Sequence, residues 1–125
     1  MVTLSDGEWK IMNLLWEGAP YTITQIVSEL KDETGWSKNT VITMLGRLEK
    51  KKAVYYEQGE RAKQYYPLIN QDEMSIEETN NFLKKVYSGS IKLMLNEFVS
   101  KQKLSKNERA ELLDILKNGE GDWHW

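Results

Sequence analysis

The sequence predicts a mainly α protein with a small β-hairpin wing, organised as a winged helix-turn-helix head plus a helical dimerisation tail. Two capped amphipathic segments and a third opening at Ser37 fill the first 51 residues, and the apolar period then shortens around a glycine-containing turn. Apolar stripes at helical spacing return between residues 76 and 116. Three short helices followed by a hairpin is the element order of a winged helix-turn-helix. The expected divisions are a head over 1–70, a tail over 71–118 and a mobile C-terminal end over 119–125.

The first helix comes from "LSDGEWKIMNLLWEGA". Ser5 and Glu8 have capping-box spacing, Trp9, Met12, Leu15 and Trp16 share a face, and Gly18 supplies a stop. "PYTITQIVSELKDETG" repeats the device. Pro20 forbids continuation, Thr22 and Gln25 can cap, Ile23, Ile26, Val27 and Leu30 make the stripe, and Gly35 ends it. Ser37 then opens a third helix that runs to about Lys51. In "AVYYEQGERAKQYYPLI", tyrosines and valine flank a turn at Gly59 to Arg61, and Pro67 ends the second strand of a hairpin.

Composition excludes several function classes. With no cysteine there is no disulfide, thiolate metal site or cysteine nucleophile. The single histidine, His124, lies between Trp123 and Trp125 with no soft ligands nearby, so neither a metal nor a cofactor is expected. It has no serine or carboxylate in catalytic relation, and no phosphate-binding glycine loop is present; the chain does not read as an enzyme. No apolar run approaches the roughly 18 residues of a membrane span, and "MVTLSDGEWK" lacks a secretory pattern. The expectation is a cytoplasmic protein without a membrane partner.

Charge is more informative than its total. Residues 38–63 carry Lys38, Arg47, Lys50, Lys51, Lys52, Arg61 and Lys63 against Glu49, Glu57 and Glu60, a local net of +4. The rest of a chain whose formal charge is -2 therefore stands at -6. A basic island in an acidic molecule draws an anionic polymer to one face; an ordinary solvated surface fits the same balance.

Helical geometry locates that face. At 100° per residue, Val41, Leu45 and Leu48 fall within about 60° of one another, with Met44 beside them, so they face the core. The opposite side then holds Asn39, Thr43, Gly46 and Lys50, bordered by Thr40 and Arg47 on one edge and Ile42 on the other. Short hydrogen-bonding side chains, a glycine and flanking cations suit a helix that reads base edges in a DNA major groove. Asn39 suits an adenine edge, Thr43 and Ile42 suit thymine methyls, and Arg47 and Lys50 suit phosphates. Thr22 and Ser37, at the helix starts, and Lys38 join the expected contacts, as do Arg61 and Lys63 near the hairpin tip. A winged-helix protein-interaction module that binds no DNA is the alternative.

"GEWKIMNLLWE", "WSKNTVITMLGRLEKKKAV", "YYPLI" and the tail run "NNFLKKVYSGSIKLMLNEFVSKQKLSKNERAELLDILKN" together resemble the penicillinase-repressor (BlaI/MecI) family of bacterial winged-helix regulators, over roughly residues 4–118. The resemblance implies a homodimeric repressor of resistance-related genes, bound to a palindromic double-stranded operator. It also implies release when a membrane sensor or protease system triggers cleavage in the dimerisation region. Thr40, Thr43 and Arg47 match the family's third helix. Lys38, Asn39 and Ile42 stand where that helix commonly has proline, lysine and arginine, which implies weaker phosphate contacts and an altered base preference. Glu97-Phe98 occupies the place of the family's scissile Asn-Phe pair, with Asn96 one residue early. Asn96, Glu97 and Phe98 are therefore the candidate cleavage segment, and the other reading makes Leu95, Phe98 and Val99 plain dimer core. The copper-responsive branch's cysteine motif is absent.

The tail asks for a partner on physical grounds too. Ile76, Thr79, Leu83, Val86 and Tyr87 make one stripe, and Ile91, Met94, Leu95, Phe98 and Val99 a second. Leu112, Leu113, Ile115 and Leu116 make a third behind a Ser105–Glu108 capping box. About 50 residues of amphipathic helix bury too little apolar surface alone, and a second copy supplies what is missing; the other reading folds the tail back on its own head.

Overall fold

The computed structural model describes residues 2–119. The expectations for Trp123, His124 and Trp125 lie outside the described residues. In chain order the elements are α1 (Asp6–Gly18), α2 (Ile23–Thr34), α3 (Lys38–Lys50), β1 (Val54–Gln58), β2 (Lys63–Pro67), α4 (Gln71–Tyr87), α5 (Ile91–Ser100) and α6 (Lys106–Asn118). The fold is thus mainly helical with one antiparallel hairpin, as the sequence predicts. Two compact units divide between Ser75 and Ile76.

Local chemistry sets the helix starts. Ser5 Oγ accepts from the Glu8 backbone N–H at 3.2 Å while Glu8 Oε1 accepts from the Ser5 N–H at 2.8 Å. Thr22 and Gln25 exchange the same pair at 3.2 and 2.8 Å, and Ser105 and Glu108 at 3.1 and 2.9 Å. Each box satisfies donors that the first turn leaves orphaned.

The stops are more varied. Gly18 remains helical, and α1 ends one residue later, where Ala19 is extended at ψ 152°. The ring of Pro20 disfavours helical geometry in the residue before it, so the proline rather than the glycine makes the stop. Gly35 ends α2 in the left-handed region at φ 65°, its N–H bonded to the Lys31 carbonyl at 2.8 Å. At the end of α3 it is Lys52 that turns left-handed, at φ 61°. The Ala53 N–H then reaches Leu48 O at 2.9 Å and the Lys52 N–H reaches Glu49 O at 3.0 Å, a Schellman ending without glycine. α5 closes likewise at Gln102, φ 57°.

In the head, Ile11, Met12 and Leu15 of α1, Ile26 and Leu30 of α2, and Val41, Leu45 and Leu48 of α3 are buried together with Ala53, Val54, Tyr65 and Met74. Trp9 and Trp16 pack edge to face at 5.8 Å and only partly enter this core. The Trp16 indole donates to Ile69 O at 3.0 Å. In the hairpin, Val54 pairs with Pro67 and Gln58 with Lys63. Tyr21 extends this small sheet, exchanging backbone hydrogen bonds with Tyr65 at 3.3 and 2.9 Å. Gly59 permits the tip, because a Cβ there would stand 2.7 Å from Ala62 O.

The tail comprises α4 beyond Ser75, α5 and α6. Of its expected interface residues, Ile76 and Leu116 are each 65% exposed, Val86, Ile91 and Phe98 are also exposed, and Tyr87, Met94, Leu95 and Leu112 are half-buried. Leu83 differs: it is 4% exposed, already enclosed by its own chain, and in the turn after α4 the Gly89 N–H reaches its backbone carbonyl at 2.8 Å. α5 carries Asn96, Glu97 and Phe98 on a continuous helix, all exposed.

Candidate nucleic-acid interface

The outward face of α3 is fixed by its inward one. Val41, Leu45 and Leu48 are fully buried, which turns Asn39, Ile42, Thr43, Arg47 and Lys50 to the exposed side. Ile42 is 43% exposed on one edge of this strip, a bulky apolar side chain beside polar neighbours. Gly46 is half-buried, with open space where a Cβ would stand.

Two of the expected contacts are engaged in building the helix. Ser37 Oγ accepts from the Thr40 N–H at 3.2 Å and lies 3.1 Å from Thr40 Oγ1, so both hydroxyls are partnered at the N-terminus of α3. Thr22, half-buried, caps α2 in the same manner. Their free lone pairs and protons stand at helix N-termini, where an anion is favoured. By contrast, Asn39 and Thr43 have side chains with no hydrogen bond to the described residues.

The structure sorts the basic island. Lys38, Arg47, Lys50 and Arg61 are exposed and form no ion pair among the described residues. Lys63 lies over the Tyr56 ring, 4.2 Å from its centroid, which steadies it at the wing. Lys51 is diverted altogether. Its ammonium donates to Glu8 Oε1 at 2.5 Å and to Thr3 O at 2.7 Å, tying the end of α3 to α1 and to the N-terminal segment. Glu8 itself is 2% exposed. Burial pushes its carboxyl up, but the hydrogen bonds from Lys51 and from the Ser5 backbone and the Lys51 charge outweigh this and hold it below the usual carboxylate value.

In the sequence Glu8 reads only as a capping residue and Lys51 only as one more surface cation. A sequence carries no signal for a pairing 43 residues apart. Gly7 carries no local signal for the same reason: a Cβ there would run into the Met44 methyl and stand 3.3 Å from the Trp36 ring, so its absence lets α1 approach α3. Among the described residues no cluster of acidic or imidazole groups is arranged to hold a metal ion, and no helix is long and apolar enough to cross a membrane.

A three-helix head, a hairpin wing and an outward third helix with uncommitted polar groups define a winged helix-turn-helix protein. The sequence model of the penicillinase repressor family matches residues 4–118, and the chain belongs to that family, one of repressors rather than enzymes. The methicillin resistance regulatory protein MecI of Staphylococcus aureus (strain N315) is 32% identical over 113 residues, covering 90% of this chain and 92% of the relative. The penicillinase repressor of Bacillus licheniformis is 31% identical over 113 residues, covering 90% and 88%. The solution structure of the DNA binding domain of the repressor BlaI superposes with a TM-score of 0.52 at 31% identity, over 57% of this chain and 87% of that one. The Bacillus licheniformis BlaI monomeric form in complex with the blaP half-operator gives 0.51 at 30% identity, over 58% and 88%.

Proposed function

We propose that the chain is a DNA-binding transcriptional repressor that acts as a homodimer on a palindromic operator of resistance-related genes. The observation that carries this reading is the outward strip of α3, where hydrogen-bonding groups with no partner among the described residues lie between cations that form no ion pair among them. Membership of a repressor family, and likeness to a structure solved with a half-operator, support it. In this reading Asn39, Ile42 and Thr43 face base edges, with Gly46 leaving room for close approach. Lys38, Arg47 and Lys50 hold phosphates, the α2 and α3 caps Thr22, Ser37 and Thr40 meet the backbone, and Arg61 and Lys63 extend the contact along the wing.

The tail supplies the two-fold partner. Its exposed apolar side chains, Ile76, Val86, Ile91, Phe98 and Leu116 among them, lose water contact when a second copy covers them. Two α3 helices related by a two-fold axis then match an inverted repeat. Release follows an inducing signal, and the exposed Asn96–Phe98 stretch of α5 is the candidate point of cleavage. The test is a paired substitution read against a short inverted-repeat duplex from upstream of the protein's own gene. Thr43→Ala should cost about 1–3 kcal/mol and relax preference at one base pair, while Lys50→Ala should weaken all sequences alike. If neither substitution alters binding, α3 is not the reading helix.

A further inference from the structure

We infer that α3 reads A·T base pairs in each half-site, with Asn39 selecting adenine and Ile42 packing against a thymine methyl. This rests on the DNA-binding reading above and specifies the class of sequence it takes. Lengthwise, the centre of the exposed strip, from Asn39 to Gly46, contains no cation. Lys38 sits before it, and Arg47 and Lys50 lie in the last turn, so the residues positioned for base edges are Asn39, Ile42, Thr43 and Gly46.

Their chemistry is selective. Guanine is usually read by a bidentate arginine or lysine at its O6 and N7, and the strip's centre offers neither. An asparagine amide presents a donor and an acceptor together, which matches adenine N6 and N7. Asn39 lies in the first turn of α3, the part of a recognition helix that meets base edges, and its amide is uncommitted within the described chain. Ile42, 43% exposed one turn further on, has no hydrogen-bonding group. The thymine C5 methyl is the apolar feature of the major-groove edge, and covering it removes apolar surface of both partners from water. Thr43 adds a methyl and a hydroxyl on the same side. The open space at Gly46 keeps the strip from being held away from the groove floor.

The test is selection of full-length protein against a randomised duplex library, followed by anisotropy titration of the enriched duplex. The reading predicts A·T pairs at the positions protected by α3. Replacing the contacted thymine by deoxyuridine, which removes only the methyl, should weaken wild type about threefold to fourfold and leave Ile42→Ala unaffected. Changing the contacted A·T to G·C should cost wild type roughly tenfold to a hundredfold, and Asn39→Ala much less. Both side chains are exposed, so unchanged circular dichroism melts should accompany these losses. An enriched duplex with G·C at those positions, or one indifferent to deoxyuridine and to Asn39→Ala, overturns the inference while leaving DNA binding intact. Failure to enrich any sequence instead overturns the DNA-binding reading on which it rests.

Discussion

Lys50 and Lys51 are neighbours in the sequence with opposite duties in the structure, and exchanging each for an uncharged residue should separate them. Lys51→Met removes two hydrogen bonds, at 2.5 Å to Glu8 Oε1 and 2.7 Å to Thr3 O. It leaves a carboxylate that is 2% exposed, whose Oε2 has no partner and whose Oε1 keeps only the Ser5 N–H. Breaking a fully buried pair costs about 3–5 kcal/mol. The lysine end is 35% exposed, so water compensates in part, and about 1.5–3 kcal/mol is the expected loss. For a unit of this size that lowers Tm by roughly 10 °C or more. Lys50→Ala removes an exposed side chain with no ion pair among the described residues, so stability should move by no more than about 0.5 kcal/mol. Its effect belongs to DNA: the slope of log K against log salt should become shallower by about 0.9 per protomer. Thermal melts by circular dichroism and anisotropy titrations at several salt concentrations read the two quantities. A Lys51→Met protein with unchanged Tm and a shallower salt slope would refute this division of labour.

Acid should expose the same contact. Because the Glu8 carboxyl titrates below its ordinary value of 4.5, its contribution is present above 4.5 and drains away as pH falls through the lower folded-state value; urea midpoints should drop there, and less so in Glu8→Gln. Lys52→Gly relieves a left-handed lysine at φ 61° and should raise stability by about 0.5 kcal/mol, once the extra freedom of glycine in the unfolded chain is subtracted. Leu116→Asp, placed on an exposed apolar face of α6, should shift sedimentation toward monomer and cut operator affinity at least about a hundredfold as two-site binding is lost.

How much of this was legible in the sequence depends on range. Ser5 with Glu8, Thr22 with Gln25 and Ser105 with Glu108 bond within four residues, so spacing alone located three helix starts. Gly35 announced the end of α2 because left-handed geometry favours glycine. The endings at Lys52 and Gln102 use the same geometry without that residue, and nothing local marks them. The period of α3 predicted both its buried side and its outward strip. What it left unseen was which cations of the island remain available, since the partner of Lys51 lies in α1 and that of Lys63 across the hairpin. The Tyr21–Tyr65 bridge was invisible for the same reason: two tyrosines 44 residues apart meet only once the core has formed. In the tail the stripes were readable, and the burial of Leu83 within its own chain was not.

The most direct measurement is an anisotropy titration of the full-length protein against an inverted-repeat duplex from upstream of its own gene, beside a scrambled duplex, at two salt concentrations. The account predicts tighter binding to the native duplex, a steep loss with salt through counterion release, and saturation at two chains per site. Equal, weak binding to both duplexes would contradict it and leave the winged-helix head as a protein-interaction module.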